Sequence, residues 1–326
     1  MATGKASDFK IYEDQMRGGV VETLTQASNY FNQAGGVLRL TTKQHRGQYA
    51  QESFFKNISS LVSRRDVTSV STATDLALTM DEIISVKLKR KVGPVGQTLD
   101  SFKQVAMQAG TNEALSFLIG TQVAKAMEVD MLDAGLSAAK AALTNQSDVY
   151  YDGTAGTMTA SKLVSGLAKL GDNAQKIKAF VMHSKVYFDL VQNQIVPANN
   201  GEGAATATVY GGTPATLGRP VIVTDSASLL LDDSPDLYYT LALTENGIIV
   251  ENSEEETMYS ELVTGLENLV VRLQGEFAYN LGIKGFKWDT GNGGANPLAA
   301  AIATGSNWDK AVTSYKDLAG VCIATR

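Results

Sequence analysis

The sequence predicts an α+β chain in which an extended excursion and one very long helix precede a compact α/β region. Three observations carry that reading. Residues 67–99 are rich in β-branched side chains and alternate strictly in their second half. Residues 112–145 hold the strongest three- and four-residue apolar periodicity of the chain. From residue 157 onward, capped helical segments and short apolar strands follow one another.

Each element follows from its local pattern. Residues 8–33 suit an amphipathic helix with a possible break at Gly18 and Gly19, and "GGVLRLTT" suits a short strand. Residues 48–63 return to helical spacing through Tyr49, Phe54, Phe55, Ile58 and Leu61. The stretch 67–99 reads as a two-stranded excursion closed by "GPVG". Ile84, Val86, Leu88 and Val92 share one face with Arg90, while Ile83, Ser85, Lys87, Lys89 and Lys91 share the other. A lone hairpin of that length is barely stable in water unless it lies against something.

The helix over 112–145 runs through Leu115, Leu118, Ile119, Val123, Met127, Met131, Ala134 and Ala138. At 1.5 Å per residue it spans about 50 Å, so it serves as a spine, and its charges exclude a membrane span. Beyond it, "TASKLVSGLAKLGDNA" is a capped helix, "IKAFVMH" a buried strand and "SKVYFDLVQNQI" a helix started by Ser184. A Gly/Ala/Thr loop over 196–218 leads to a buried strand in "RPVIVTDS". "LYYTLALTENGIIVENSE" reads as a hairpin turned at Asn246-Gly247. A long strand in "ENLVVRLQGEFAYNLGIKGFKWD", a Gly-rich linker and a short helix complete the chain.

With 44% hydrophobic and 19% charged residues, the 326-residue chain has a globular composition. It has no run of about 18 apolar residues and no apolar signal core near Met1, which suggests cytosolic origin. Cys322 is the only cysteine, which rules out an intrachain disulfide and a cysteine-based zinc site; its small apolar neighbours predict a buried thiol. The net charge of −6 is uneven. Residues 1–110 hold 14 Lys and Arg against 10 Asp and Glu, and the remainder 14 against 24. No basic residue lies between Arg219 and Arg272. Parts of opposite sign attract within one molecule or between copies.

No catalytic, cofactor or metal motif emerges. His45 and His183 lack the spacing of a metal or catalytic pair; His183 closes a strand before a helix, and His45 reads as solvent-exposed. "GEGAAT" and "YGGTPATLG" lack the flanking elements and the lysine that nucleotide-binding loops need. The acidic runs "ENSEEETMYSE" and "DDSPD" lack the spaced ligands of a calcium loop and read as solvated faces. One feature stands apart: "IISVKLKRKVGPVG" puts four cations into five positions. Nucleic-acid phosphate would suit them, but no aromatic is interleaved; an acidic protein surface suits them equally and offers an apolar partner too.

The order of elements resembles the major capsid proteins of tailed bacteriophages over nearly the whole chain. "AFVMHSKVYFDLV", "LGRPVIVTDS", "EFAYNLGIKGFKWD" and "SNWDKAVTSYKDLAGVCIATR" are similar to that group as well. The resemblance implies the Hong Kong 97 type fold. Residues 1–66 would form the N-terminal arm and the start of the P-domain, 67–100 the E-loop, and 101–156 the P-domain spine helix. Residues 157–250 would form the α/β A-domain, and 251–326 the P-domain return strand and C-terminal segment.

It implies a non-enzymatic protein without cofactor. Copies would join as hexamers and pentamers into an icosahedral shell, built in the host cytoplasm, around double-stranded DNA contacted without sequence preference. Portal and decoration proteins are the other expected partners, and no membrane is. The arm begins a few residues after Met1, which implies a separate scaffolding protein, or none. Since the family's E-loop lies across a neighbour, Val86, Lys87, Leu88, Lys89, Arg90 and Lys91 are the candidate contacts. Glu251, Glu254, Glu255 and Glu256 are candidate acidic partners. Some relatives cross-link Lys to Asn; Lys87, Lys89 or Lys91 would supply the amine, and no position identifies the asparagine. An encapsulin-like cellular shell, or an α/β enzyme with an unrecognised site, are the alternatives.

Overall fold

Two larger β-sheets pack on one long helix, beside a small third sheet of two strands. The computed structural model describes residues 36–56, 58, 61–65, 67–70, 75–100, 112–195, 218–232 and 234–326. In chain order its elements are β1 (Leu38–Thr42), β2 (Tyr49–Phe55), β3 (Met80–Thr98), α1 (Asn112–Thr144), β4 (Tyr150–Asp152), α2 (Ala160–Ala168), β5 (Ile177–Met182) and α3 (Ser184–Ile195). They continue with β6 (Val221–Val223), β7 (Leu230–Leu231), β8 (Leu237–Thr244), β9 (Ile248–Val263), β10 (Val270–Ile283), β11 (Phe286–Trp288), α4 (Ala299–Ile302), β12 (Trp308–Lys310) and β13 (Gly320–Thr325). The N-terminal helix and the Gly/Ala/Thr loop expected from the sequence fall outside the described residues.

The first sheet runs β1-β9-β10-β3-β2, and the second β4-β13-β8-β5-β6 with β7 beside β8. Helix α1 packs on β9 and β10 of one sheet and on β8 and β13 of the other. Its Met127, Met131, Leu136, Ala138, Ala142 and Leu143 are buried in the single core that joins them. Gly135 marks the closest approach: a Cβ there would stand 2.9 Å from Cγ2 of Ile248, the first residue of β9. The helix thus crosses where the chain passes from one sheet to the other.

Local chemistry sets the element ends. The Thr159 hydroxyl accepts from the Lys162 N–H and caps α2. At α3 the cap comes from His183 rather than Ser184, since its ring Nδ1 accepts from the Lys185 N–H at 3.2 Å. Gly320, at φ +156°, brings β13 so close to β8 that a Cβ would sit 1.9 Å from the Ala242 carbonyl oxygen.

Four expectations need correction. Residues 49–55 form a strand, not helix: they pair antiparallel with β3 from Tyr49↔Val86 to Phe55↔Met80, and this ladder overrides a weak helical spacing. The excursion's two arms are therefore β2 and β3, while residues 75–79 carry no strand. Asn246-Gly247 does make a tight turn, with Asn246 at φ +54°, but β8 and β9 enter different sheets, so it joins sheets instead of closing a hairpin. The strand in "RPVIVTDS" is three residues long and only partly buried. Beyond these, β13 lies at the heart of the second sheet, antiparallel to β8 and parallel to β4.

Past Gly275 the ribbon of β9, β10 and β3 changes character. Between residues 254 and 274 none of the described side chains is fully buried. This three-stranded tongue, closed by residues 264–269, presents both faces to solvent.

Candidate assembly surfaces

Alternation along β3 sorts its side chains onto two faces, as the sequence predicts. Ile84, Val86 and Leu88 are buried, but in the chain's own core. Arg90 continues that face: its Nε donates to Oδ2 of Asp130 on α1 at 3.0 Å. The Tyr279 hydroxyl donates to the same oxygen at 2.7 Å. Burial and the Asp130 charge together push the Tyr279 phenol well above its ordinary range. The arrangement ties β3 and β10 to the helix. As a half-exposed ion pair, Arg90–Asp130 contributes about 0 to 1 kcal/mol.

Lys87 points from the opposite face and is only 1% exposed. What covers it is the connection between β1 and β2. The Lys43 and His45 N–H groups donate to the carbonyls of Asn252 and Ser253, while the Lys87 N–H donates to the Gln48 carbonyl. Residues 43–48 therefore cross the sheet from β9 to β3. His45 lies half-buried within this crossing, not exposed as expected; its Nε2 is 2.6 Å from the Tyr49 carbonyl oxygen. Under the crossing, Lys87 Nζ donates to the His45 carbonyl at 2.7 Å and to the Glu254 carboxylate. That hydrogen bond holds the Glu254 carboxyl below its usual range. Asn280, directly opposite Lys87, and the Ser253 hydroxyl are buried in the same polar layer.

The expected contact residues thus divide. Val86 and Leu88 are already covered within the chain, Lys87 and Arg90 already hold Glu254 and Asp130, and only Lys89 and Lys91 are exposed. Among the acidic candidates, Glu254 meets a lysine of its own chain. Glu251 pairs across from Asn280 and is half-buried, as is Glu256. The Glu255 side chain lies outside those described.

Two surfaces that residue-by-residue reading passed over emerge instead. Between residues 55 and 80, Phe55, Leu61, Val62, Val67, Val70, Leu76, Leu78 and Met80 are each more than half exposed. On the tongue, Val95, Tyr259, Leu266 and Leu269 are likewise exposed. The signal in the sequence was "VTSVSTATDLALTM", whose apolar residues have few charged neighbours to keep them in water.

Other clusters have structural explanations. His183 sits 3.8 Å from Asp225 and tilts against the Tyr238 ring. The Cys322 thiol is buried and pushed up to about 12 by that burial, which removes the thiolate needed for reactivity. Among the described residues no three His, Cys, Asp or Glu converge on a metal position, and no helix is long and apolar enough to cross a membrane. An open cavity of about 350 Å³ beside Lys140, Thr144 and Tyr239 holds a lysine whose pKa burial lowers, with no carboxylate, histidine or second amine among its lining residues.

A chain that leaves apolar side chains on an excursion and a tongue uncovered, around a well-packed core, has the surfaces a subunit of a larger assembly would offer its neighbours. It belongs to the major capsid protein 13-like family, whose model matches residues 8–322. It is accordingly a major capsid protein, a structural component of the virion shell and not an enzyme. No curated protein matches the chain. Among solved structures, that of Microbacterium phage Oxtober96 is similar at TM-score 0.53 and 11% identity, covering 89% of this chain and 90% of the other. The head structure of Helicobacter pylori bacteriophage KHP40 is similar at TM-score 0.50 and 10% identity, covering 91% and 90%. The capsid of Myoviridae phage XM1 follows at TM-score 0.48 and 14% identity, covering 78% and 87%.

Proposed function

We propose that copies of this chain close as hexamers and pentamers into an icosahedral head shell of the Hong Kong 97 type, in the host cytoplasm, around double-stranded DNA. One observation carries the reading furthest: eight large apolar side chains between Phe55 and Met80 are each more than half exposed on a single subunit. Fully covering each would contribute about 1.5 to 3 kcal/mol, on the order of 10 kcal/mol per subunit. In a closed shell every subunit receives that contribution from its neighbours.

In this reading the N-terminal arm and the start of the P-domain occupy residues 1–66 and the E-loop residues 67–100, which contain β3, while the strand β3 pairs with, β2 at Tyr49–Phe55, precedes that range. The spine helix lies within 101–156 and the A-domain within 157–250. Residues 251–326 supply the return strand, with β13 added back to the A-domain sheet. Lys89 and Lys91 remain candidates for a neighbour's carboxylates. A separate scaffolding protein, a portal and a decoration protein are the expected partners, and DNA would be touched without sequence preference. Negative-stain microscopy of the purified chain tests the reading. Closed shells or capsomers support it; uniformly small monomers at high concentration refute it.

A further inference from the structure

Partly buried lysines of this chain meet oxygen atoms of their own molecule, with one exception. Lys56, Lys87, Lys185, Lys287 and Lys316 each reach a carboxylate, and Lys162 gathers three backbone carbonyls. Lys140, half-buried near the end of α1, reaches none among the described residues. Its ammonium instead faces the Tyr239 ring, 5.3 Å from the centroid, and the open cavity of about 350 Å³. Burial lowers its pKa, and only the buried Cys322 thiol acts against that. A ring face replaces part of the hydration such a cation loses, not all of it.

The walls of the cavity are built to keep it open. Gly305 closes on the end of α1, where a Cβ would stand 2.8 Å from the Ala141 carbonyl oxygen and from Cβ of Asn145. Ala141, Leu231 and Ala303 line one part with apolar groups. At the rim the Asn145 side chain is exposed and makes no hydrogen bond among the described residues. We infer that this cavity binds a carboxylate carried on a short aliphatic chain, with its charge on Lys140 Nζ, its methylenes along the apolar wall and the Asn145 amide as a second donor. A single negative charge fits better than a phosphate. One cation faces the cavity, and α1 presents its C-terminal end there, whose partial negative charge opposes a dianion. The apolar wall in turn favours an aliphatic acid over a bare inorganic ion. Such a group comes either from a small free acid or from an Asp or Glu side chain of a second copy.

An opposite charge at contact distance raises a lysine's pKa. Trace acetylation with acetic anhydride, read peptide by peptide by mass spectrometry, follows the free amine directly. In the free subunit, butyrate at constant ionic strength should slow labelling of Lys140 about tenfold, the change that one pKa unit makes in the amine fraction. Exposed Lys125 should not respond, and butyramide, the uncharged analogue, should have no effect on either lysine. Butyrate should also raise the melting temperature of wild type but not of Lys140→Met. Assembled shells without butyrate identify the source. A Lys140 labelling profile moved to higher pH than in the free subunit marks a neighbour's carboxylate; an unmoved profile that still answers to butyrate marks a free acid. No response to butyrate in the subunit, together with an unraised profile in shells, would overturn the site. Should the chain form no shells, the butyrate arm alone decides, so failure of the shell reading is registered separately.

Discussion

Val86→Asp separates a strand buried within the subunit from one waiting for a neighbour. Val86 is 0% exposed, paired between Tyr49 and Leu281. Its removal forfeits about 1.5 to 3 kcal/mol of apolar burial. The new carboxyl gains no designed partner, at about 1 to 3 kcal/mol. Keeping it neutral at pH 7, three units above its ordinary pKa, costs about 4 kcal/mol more. Together these come to roughly 7 to 10 kcal/mol, comparable with the 5 to 15 kcal/mol that typically holds a domain folded. The variant subunit should therefore lose its native circular dichroism and melt at far lower urea. Lys89→Ser/Lys91→Ser, on exposed positions of the same strand, should stay within about 0.5 kcal/mol of wild type. A Val86→Asp subunit with a native spectrum and an unchanged urea midpoint, defective only in forming particles, would refute the reasoning.

Further expectations come from single contacts. Cys322 should resist alkylation at pH 8 in the folded protein and react fully in denaturant, because burial lifts its thiol to about 12; rapid labelling of folded protein would contradict this. Asp81 accepts from Lys56 and, more weakly, from the Glu82 N–H and Lys287, which lowers its carboxyl below the ordinary 3.8. A depressed folded-state pKa gives stability present above the unfolded value and lost as pH falls through the folded one. Asp81→Asn should thus lower the urea midpoint at pH 6, and the difference should shrink as pH drops below about 3.8; a gap constant with pH would exclude the carboxylate as its source. Gly320→Ala should prevent native folding, since its Cβ would collide with the Ala242 carbonyl; a soluble variant with wild-type urea stability would count against the strand placement.

What the sequence made legible was whatever depends on near neighbours. The periodicity over 112–145 yields α1 at 112–144, because the apolar stripe and the helix report the same 3.6-residue repeat. Alternation in β3 assigned its faces correctly. Failures came where distant partners decide. Residues 49–55 are a strand because β3, some thirty residues on, offers a ladder. The Asn246-Gly247 turn is locally a hairpin turn, yet Ile248 is taken by β1 and β10 and Leu243 by β13 and β5. The cationic stretch was legible as composition but not as contacts. Lys87 and Glu254 stand 167 positions apart, and nothing local indicates that residues 43–48 roof them over.

That roof makes the Lys87–Glu254 pair unequal in a way that mutation can read. Lys87 is 1% exposed, while the Glu254 side chain is 50% exposed. Removing the lysine leaves a carboxylate that water can reach, so Lys87→Met should cost little beyond the lost bonds. Replacing the carboxylate by an amide leaves an ammonium under the crossing with only uncharged acceptors, the His45 carbonyl and the new amide oxygen. The loss stays below the cost of breaking a fully buried pair, about 3 to 5 kcal/mol, because Glu254 is itself half-exposed. Glu254→Gln should therefore lower the urea midpoint more than Lys87→Met does, and Lys87→Met/Glu254→Gln should recover most of the deficit. Were Glu254→Gln neutral, the ammonium would have to reach water in the free subunit, and the crossing would not seal the sheet. The pair would then be an ordinary surface contact, worth no more than Arg90–Asp130 on the other face.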